Sequence, residues 1–283
     1  MARVTTARRR ADEWALVLTS AGIAHTVRMH LGQWALVVAA GDVARAQATL
    51  DTYDRENRRH PTERAPFTEY GPTYAGIVVA LGLLVFYVVL QWSNRASLWL
   101  HAGDAAAGRI LDGEIWRTVT ALMLHAGPAH VVGNAVCCAL FATALCRTLG
   151  PGVGLWLMLL AGAGGNAVNA VLRGPPHSAI GASTAIFGAV GALGALQFVA
   201  RRRLGVGHWR AWVPIAAALG VLAMLGTSAD SDVLAHLFGF VVGATLGAGS
   251  ACMLSPPPGR IVQTILALAA LATAAAAWFA ALA

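Results

Sequence analysis

The chain contains no lysine; all twenty of its basic residues are arginine. That absence fits the base composition of a coding sequence better than any physical demand on the protein. Charge of either sign is scarce at 12% of residues, while 57% are hydrophobic and the mean hydropathy is +0.63. Soluble domains carry about 25% charged residues, so an ordinary soluble class is excluded. Cysteine is limited to Cys137, Cys138, Cys146 and Cys252, each inside an apolar segment, where a free thiol behaves as a small hydrophobe and no disulfide framework is implied.

Other absences narrow the chemistry. The N-terminus lacks the basic-then-apolar pattern of a signal peptide, because residues 1–70 are charged throughout, and it is expected to stay on the side where it is made. No His-Glu-x-x-His run exists for zinc. The apolar segments hold no aspartate pair, since Asp230 and Asp232 belong to a loop. Metal transport through His125, His130 and His236 would need carboxylates or thiolates continuing to the other face, and none follow. The net charge of +7 does not point to nucleic acid, because the arginines are scattered over loops rather than interleaved with aromatics on one face.

What the sequence does contain is seven apolar segments, near 73–92, 128–146, 153–172, 181–200, 211–226, 233–254 and 261–281. Most approach the ~20 residues that a helix needs to cross ~30 Å of hydrocarbon. The fifth is short and is accepted because the arginines demand a crossing there. If residues 1–72 are cytoplasmic, sixteen arginines collect on the inner side, and only Arg95, Arg109, Arg117 and Arg173 lie outside. By the positive-inside rule this places the N-terminus inside and the C-terminus outside.

Residues 1–60 read as a small cytoplasmic domain. Its arginine-rich first ten residues are expected to be a disordered lead. A helix over 11–21, strands over 24–31 and 33–39 around Gly32, and a second helix capped by Asp42 follow, giving αββα. A linker over 61–72 with Pro61 and Pro66 leads to the membrane domain, 73–283. The loop over 93–127 is long, and its segment from Trp116 and Arg117 to His125 has helical apolar spacing. It is expected to lie in the outer interface, with the indole at headgroup level and the guanidinium reaching lipid phosphate.

Polar groups inside the spans are functional candidates, because each is costly in hydrocarbon unless paired. Ser183, His236, His130 and Asn134 all fall within ~10 Å of the outer ends of inward-running helices. A serine alone among small residues is ordinarily a packing position. With a histidine at matched depth it becomes a nucleophile with a base. His130 and Asn134, four apart on one face, are placed to donate to an oxyanion, as are free N–H groups at the start of the fourth span; an interhelical hydrogen bond is the competing role for Asn134. Gly239, Gly243 and Gly247, facing Gly188, Gly191, Ala192 and Ala195, permit close packing of the fourth and sixth spans, and Phe187 is placed to stack on His236. Asp232 reads as a helix N-cap rather than a third catalytic member, His125 as a loop residue held by a backbone hydrogen bond, and His177 and His208 as uninvolved.

Trp116-Arg117, His125, His130, Asn134, Gly181-Ala182-Ser183 and Ala235-His236 with Gly239 and Gly243, in this order, resemble the rhomboid family of intramembrane serine proteases. The resemblance runs from the first span to the sixth. It implies an all-α polytopic membrane protein with six core transmembrane helices, here with a seventh C-terminal helix and a small α+β N-terminal domain. It further implies a Ser183/His236 dyad, His130 and Asn134 at the oxyanion, and no metal or nucleotide cofactor. The partners implied are membrane proteins with a locally unwinding helix, in a cell membrane, bacterial inner membrane by preference. Thr184 stands where the family usually has glycine, and is expected to crowd the oxyanion region or the substrate and so alter specificity or rate. The alternative reading is a catalytically silent relative that binds and escorts or retains membrane proteins.

Overall fold

The apolar segments are helices in the computed structural model, which describes residues 2–30, 32–56, 69–93, 95–226, 231–254 and 256–283. The chain divides into two compact units, Met1–Glu63 and Arg64–Ala283. Most of the expected linker, with Pro61 and Pro66, lies outside the described residues, as do Leu31 and Asp230.

The first unit is built from β1 (Arg3–Thr5), α1 (Arg8–Ser20), β2 (His25–His30), β3 (Gln33–Val38) and α2 (Val43–Glu56). All pairing is antiparallel in the order β1-β3-β2. Leu18, Leu36, Ala46 and Leu50, spaced for one helix or sheet face, are completely buried between the helices and the sheet. The arginine-rich start is therefore not a disordered lead. Arg3 sits in β1 and forms ion pairs with Asp51 and Asp54 of α2, and Arg10 joins Asp54 at 2.6 Å. Neutralised by these carboxylates, the segment completes a βαββα unit. Asp42 does not stand outside the second helix as a cap; it ends a 3-10 turn, Ala40–Asp42, that runs straight into α2.

The second unit holds seven helices long and apolar enough to cross a membrane: α3 (Ala75–Trp92), α7 (Pro128–Leu149), α8 (Pro151–Arg173), α9 (Ser183–Arg203), α10 (His208–Leu225), α11 (Val233–Met253) and α12 (Arg260–Leu282). The numbering gap is filled by the loop between α3 and α7, which contains α4 (Ala96–Gly103), α5 (Ala107–Leu111), α6 (Arg117–Thr120) and a 3-10 turn, Ala121–Met123. The fifth crossing, α10, proves to be 18 residues long, because the helix includes His208, Trp209 and Arg210, which an apolar window discards. α9 is the central helix, with most of its length buried among α7, α8, α10 and α11.

The close approach of α9 and α11 follows from their small residues. A Cβ on Gly239 would overlap the Thr184 carbonyl, and one on Gly243 the Gly188 carbonyl, so neither position admits a side chain. The added seventh helix closes the turn between α7 and α8. Gln263 of α12, 1% exposed, donates to the Leu149 carbonyl at 2.8 Å and accepts from the Val153 N–H at 3.0 Å, satisfying backbone groups that helix ends leave open.

Candidate active site

Ser183 is the first residue of α9, and His236 the fourth of α11. The packing of these helices brings Ser183 Oγ to 2.7 Å from His236 Nε2. The other ring nitrogen, Nδ1, lies 2.9 Å from the Gly226 carbonyl at the end of α10. A carbonyl can only accept, so Nδ1 carries the ring proton and Nε2 presents a lone pair to the serine hydroxyl. The Phe187 ring meets the imidazole tilted by 42°, at 4.8 Å between centroids, one turn along α9 from the serine.

The backbone entering α9 turns at Gly181, whose φ of +128° disfavours any side chain, and its N–H is held by the Ala121 carbonyl at 2.9 Å. A Cβ there would stand 2.8 Å from His130 Nε2 and 3.4 Å from Ser183 Oγ. The missing side chain thus lets the imidazole approach the backbone next to the hydroxyl. His130 Nδ1 receives the Ala126 N–H at 3.5 Å, which leaves Nε2 as the N–H donor on the side of Gly181. Asn134, one turn further along α7, is buried, and its Nδ2 has no acceptor among the described residues.

His125 is buried and meets His130 edge to face at 5.1 Å between centroids. Neither ring nitrogen has a partner at full hydrogen-bond geometry among the described residues, and the Met123 carbonyl is the backbone group that acts on the ring. Burial, then the neighbouring His130, push its pKa down to about 4 against a weaker opposing effect of the Met123 carbonyl, so the ring is neutral.

Arg117 does not reach toward headgroups. Arg117 is 1% exposed, with Nε on Glu114 at 2.6 Å and Nη1 on the Asp104 carboxylate at 2.6 Å and on the His101 and Asp104 carbonyls at 3.0 Å each. A guanidinium inside protein is tolerated only when its charge and donors are matched, and here the loop folds around it. The Trp116 indole nitrogen is likewise buried, without a partner among the described residues. Arg117 braces the loop rather than anchoring it to lipid.

Thr184 is buried, 4% exposed. Its methyl packs between α8 and α11, 2.7 Å from where a Cβ on Gly165 would stand and 2.9 Å from one on Gly239. The branch of this threonine fills the helix interface that those glycines open.

Sequence reasoning missed two kinds of partner. The Gly226 carbonyl is a backbone group, which no residue type announces. His177, set aside as a loop residue, is bonded to Asp232 at 2.7 Å, and Asn169 of α8 donates to the same carboxylate at 2.6 Å. Asp232 is the N-cap of α11, accepting from Ala235 N–H at 3.1 Å. Burial raises its pKa, but the bonds from Ala235, Asn169 and His177 outweigh this and hold the carboxyl below its ordinary value.

These features define a polytopic helical membrane protein with a serine–histidine pair near one end of its central helices. A Rhomboid domain family model matches residues 112–251. The chain is 32% identical over 171 residues to the putative rhomboid protease YdcA of Bacillus subtilis, covering 60% of this chain and 84% of that protein. It is 33% identical over 141 residues to the rhomboid protease GluP of the same organism, 49% of this chain but 27% of GluP, so it spans about a quarter of that relative. Rhomboid-like protease 3 of Toxoplasma gondii is 29% identical over 211 residues, 73% of this chain and 80% of the relative. The chain belongs to the rhomboid family.

Proposed function

We propose that this protein is an intramembrane serine endopeptidase that cuts transmembrane or membrane-adjacent segments of other membrane proteins near the outer face. The observation that carries the reading is the 2.7 Å contact of Ser183 Oγ with His236 Nε2 while Nδ1 is engaged by the Gly226 carbonyl. That arrangement selects the tautomer in which His236 is a base toward the serine. As Oγ attacks a peptide carbonyl, its proton passes to Nε2, and the imidazolium is stabilised by the Gly226 carbonyl and the Phe187 ring face. The oxyanion forms beside Ser183 and Gly181. There the roles assigned to His130 Nε2–H and to the unpaired Asn134 Nδ2 are those of donors, aided by free N–H groups at the start of α9. His236 then returns the proton to the leaving amine, and water releases the acyl group from Ser183 by the same route.

The membrane proteins suited to this site carry a helix that unwinds locally, so that an extended stretch reaches Ser183. We assign the protein to a cell membrane with residues 1–60 as a cytoplasmic domain and the C-terminus outside. The packing of the Thr184 methyl against Gly165 and Gly239 supports an active enzyme over a silent, escorting relative. A fluorophosphonate probe is expected to label the purified wild type but not Ser183→Ala, and a transmembrane test substrate to be cut only by the former. Equal labelling of both would remove Ser183 from its role, and absent labelling with retained binding of membrane proteins would assign the silent role.

A further inference from the structure

Asp232 lies one turn ahead of His236, and both of its carboxylate oxygens are engaged. Oδ1 accepts the Ala235 N–H at 3.1 Å, which is all that an N-cap requires. Oδ2 receives two further groups, His177 Nε2 at 2.7 Å and Asn169 Nδ2 at 2.6 Å. Asn169 belongs to α8 and is 2% exposed. His177 belongs to the loop between α8 and α9, upstream of Ser183 in the same segment, and its carbonyl accepts the Ala107 N–H at 2.8 Å. One oxygen atom therefore joins a wall helix, the loop that delivers Ser183 and the helix that delivers His236.

The chemistry of the cluster is self-consistent. With Nε2–H of His177 donated to the carboxylate, its Nδ1 lone pair faces the Arg173 guanidinium at 3.4 Å. Bonds to an ionised oxygen are roughly twice as strong as neutral ones. The single neutral bond between Ser183 and His236 is a weak restraint by comparison, and the proposed reaction breaks and remakes it at every turnover. The packing of α9 on α11 holds the helices while that bond is open, and the cluster adds a restraint on the loop that enters α9.

We infer that Asp232, His177 and Asn169 are positioning residues that tie the Ser183 loop to the His236 helix and hold the pair at reacting distance. The inference rests on the protease reading above. A misplacement of about 1 Å at a reacting centre costs about 10²-fold in rate, so loosening one arm of the tie is expected to cost about tenfold.

The test uses the full chain in detergent and measures both the maximal rate of fluorophosphonate labelling of Ser183 and the probe concentration giving half that rate. Asp232→Ser keeps an N-cap hydroxyl but loses the second oxygen; His177→Ala removes the tie from the other side; His177→Gln retains a side-chain N–H donor. The first two variants are expected to lower the maximal rate about tenfold with the half-rate concentration unchanged. The double variant should be no slower than the slower single, and His177→Gln should recover to within about threefold of wild type. A helix cap or a merely stabilising contact would lower thermal stability without this rescue. Labelling at the wild-type rate, losses that multiply in the double variant, or a glutamine no better than alanine would each overturn the tie. If wild type itself is not labelled at Ser183, the protease reading fails, and the tie is decided by ¹⁵N spectra of histidine-labelled full chain. The His236 ring signal, assigned by its loss in His236→Asn, should shift in Asp232→Ser and His177→Ala and return in His177→Gln; an unmoved signal overturns it.

Discussion

Asn134 keeps a buried amide donor without an acceptor among the described residues, and an unpaired buried donor costs about 1–3 kcal/mol. A residue kept for packing would gain from being apolar; a residue that donates to a transient negative charge must tolerate the cost in the resting protein. Asn134→Leu is therefore expected to raise the thermal midpoint of the full chain while lowering Ser183 labelling about 10²- to 10³-fold, the loss typical for one oxyanion donor. A lower midpoint with labelling unchanged would return Asn134 to an interhelical role. The same economy explains which site residues could be read from the sequence. Ser183, His236, His130 and Asn134 stand out because a polar side chain in an apolar span demands a reason, and their matched depth supplies one. His177 and the Gly226 carbonyl lie at loop and helix ends, where polar groups are unremarkable, and only folding brings them to Asp232 and His236. Arg117 was legible as a residue but not in its direction, since Asp104 and Glu114 reach it only after α4, α5 and α6 have formed.

Between elements, the decisive feature is the closeness of α9 and α11, and Thr184 belongs to it. Gly165, Gly239 and Gly243 remove three side chains from the places where α8 and α11 meet α9, and the Thr184 methyl occupies part of the space so opened. Replacing it by the glycine usual in the family should leave a void and loosen the first turn of α9. Thr184→Gly is expected to cost about 1–2 kcal/mol of stability, read as a lower thermal midpoint. Ser183 labelling should stay within about threefold, equivalent to under 1 kcal/mol at the barrier. A gain of tenfold or more would show that the threonine obstructs the reaction. All seven spans were legible at this scale because ~20 apolar residues leave few alternatives to a crossing helix. β1 was not, because a three-residue strand acquires its meaning from its partners: Val4 pairs with Ala35 in β3, and Asp51 and Asp54 of α2 neutralise Arg3.

For the whole molecule, the proposed orientation rests on charge rather than on packing. In the proposed topology, seven crossings put the two ends of the chain on opposite sides. The arginines distinguish those sides: Arg201, Arg202 and Arg203 close α9 and Arg210 opens α10, whereas the opposite ends of these helices carry none. Arg117 is matched by Asp104 and Glu114 within the loop, so even this outer arginine adds little to the opposing charge. The side that holds Ser183 is thus the arginine-poor side, which the positive-inside rule assigns to the exterior. In a bacterial host, alkaline phosphatase joined after Ala283 is expected to be active and the same enzyme joined before Met1 inactive, with a fluorescent protein at the N-terminus bright. The reverse pattern would put Ser183 on the cytoplasmic side and move the proposed cleavage to the inner face, while equal activity at both ends would contradict an odd number of crossings.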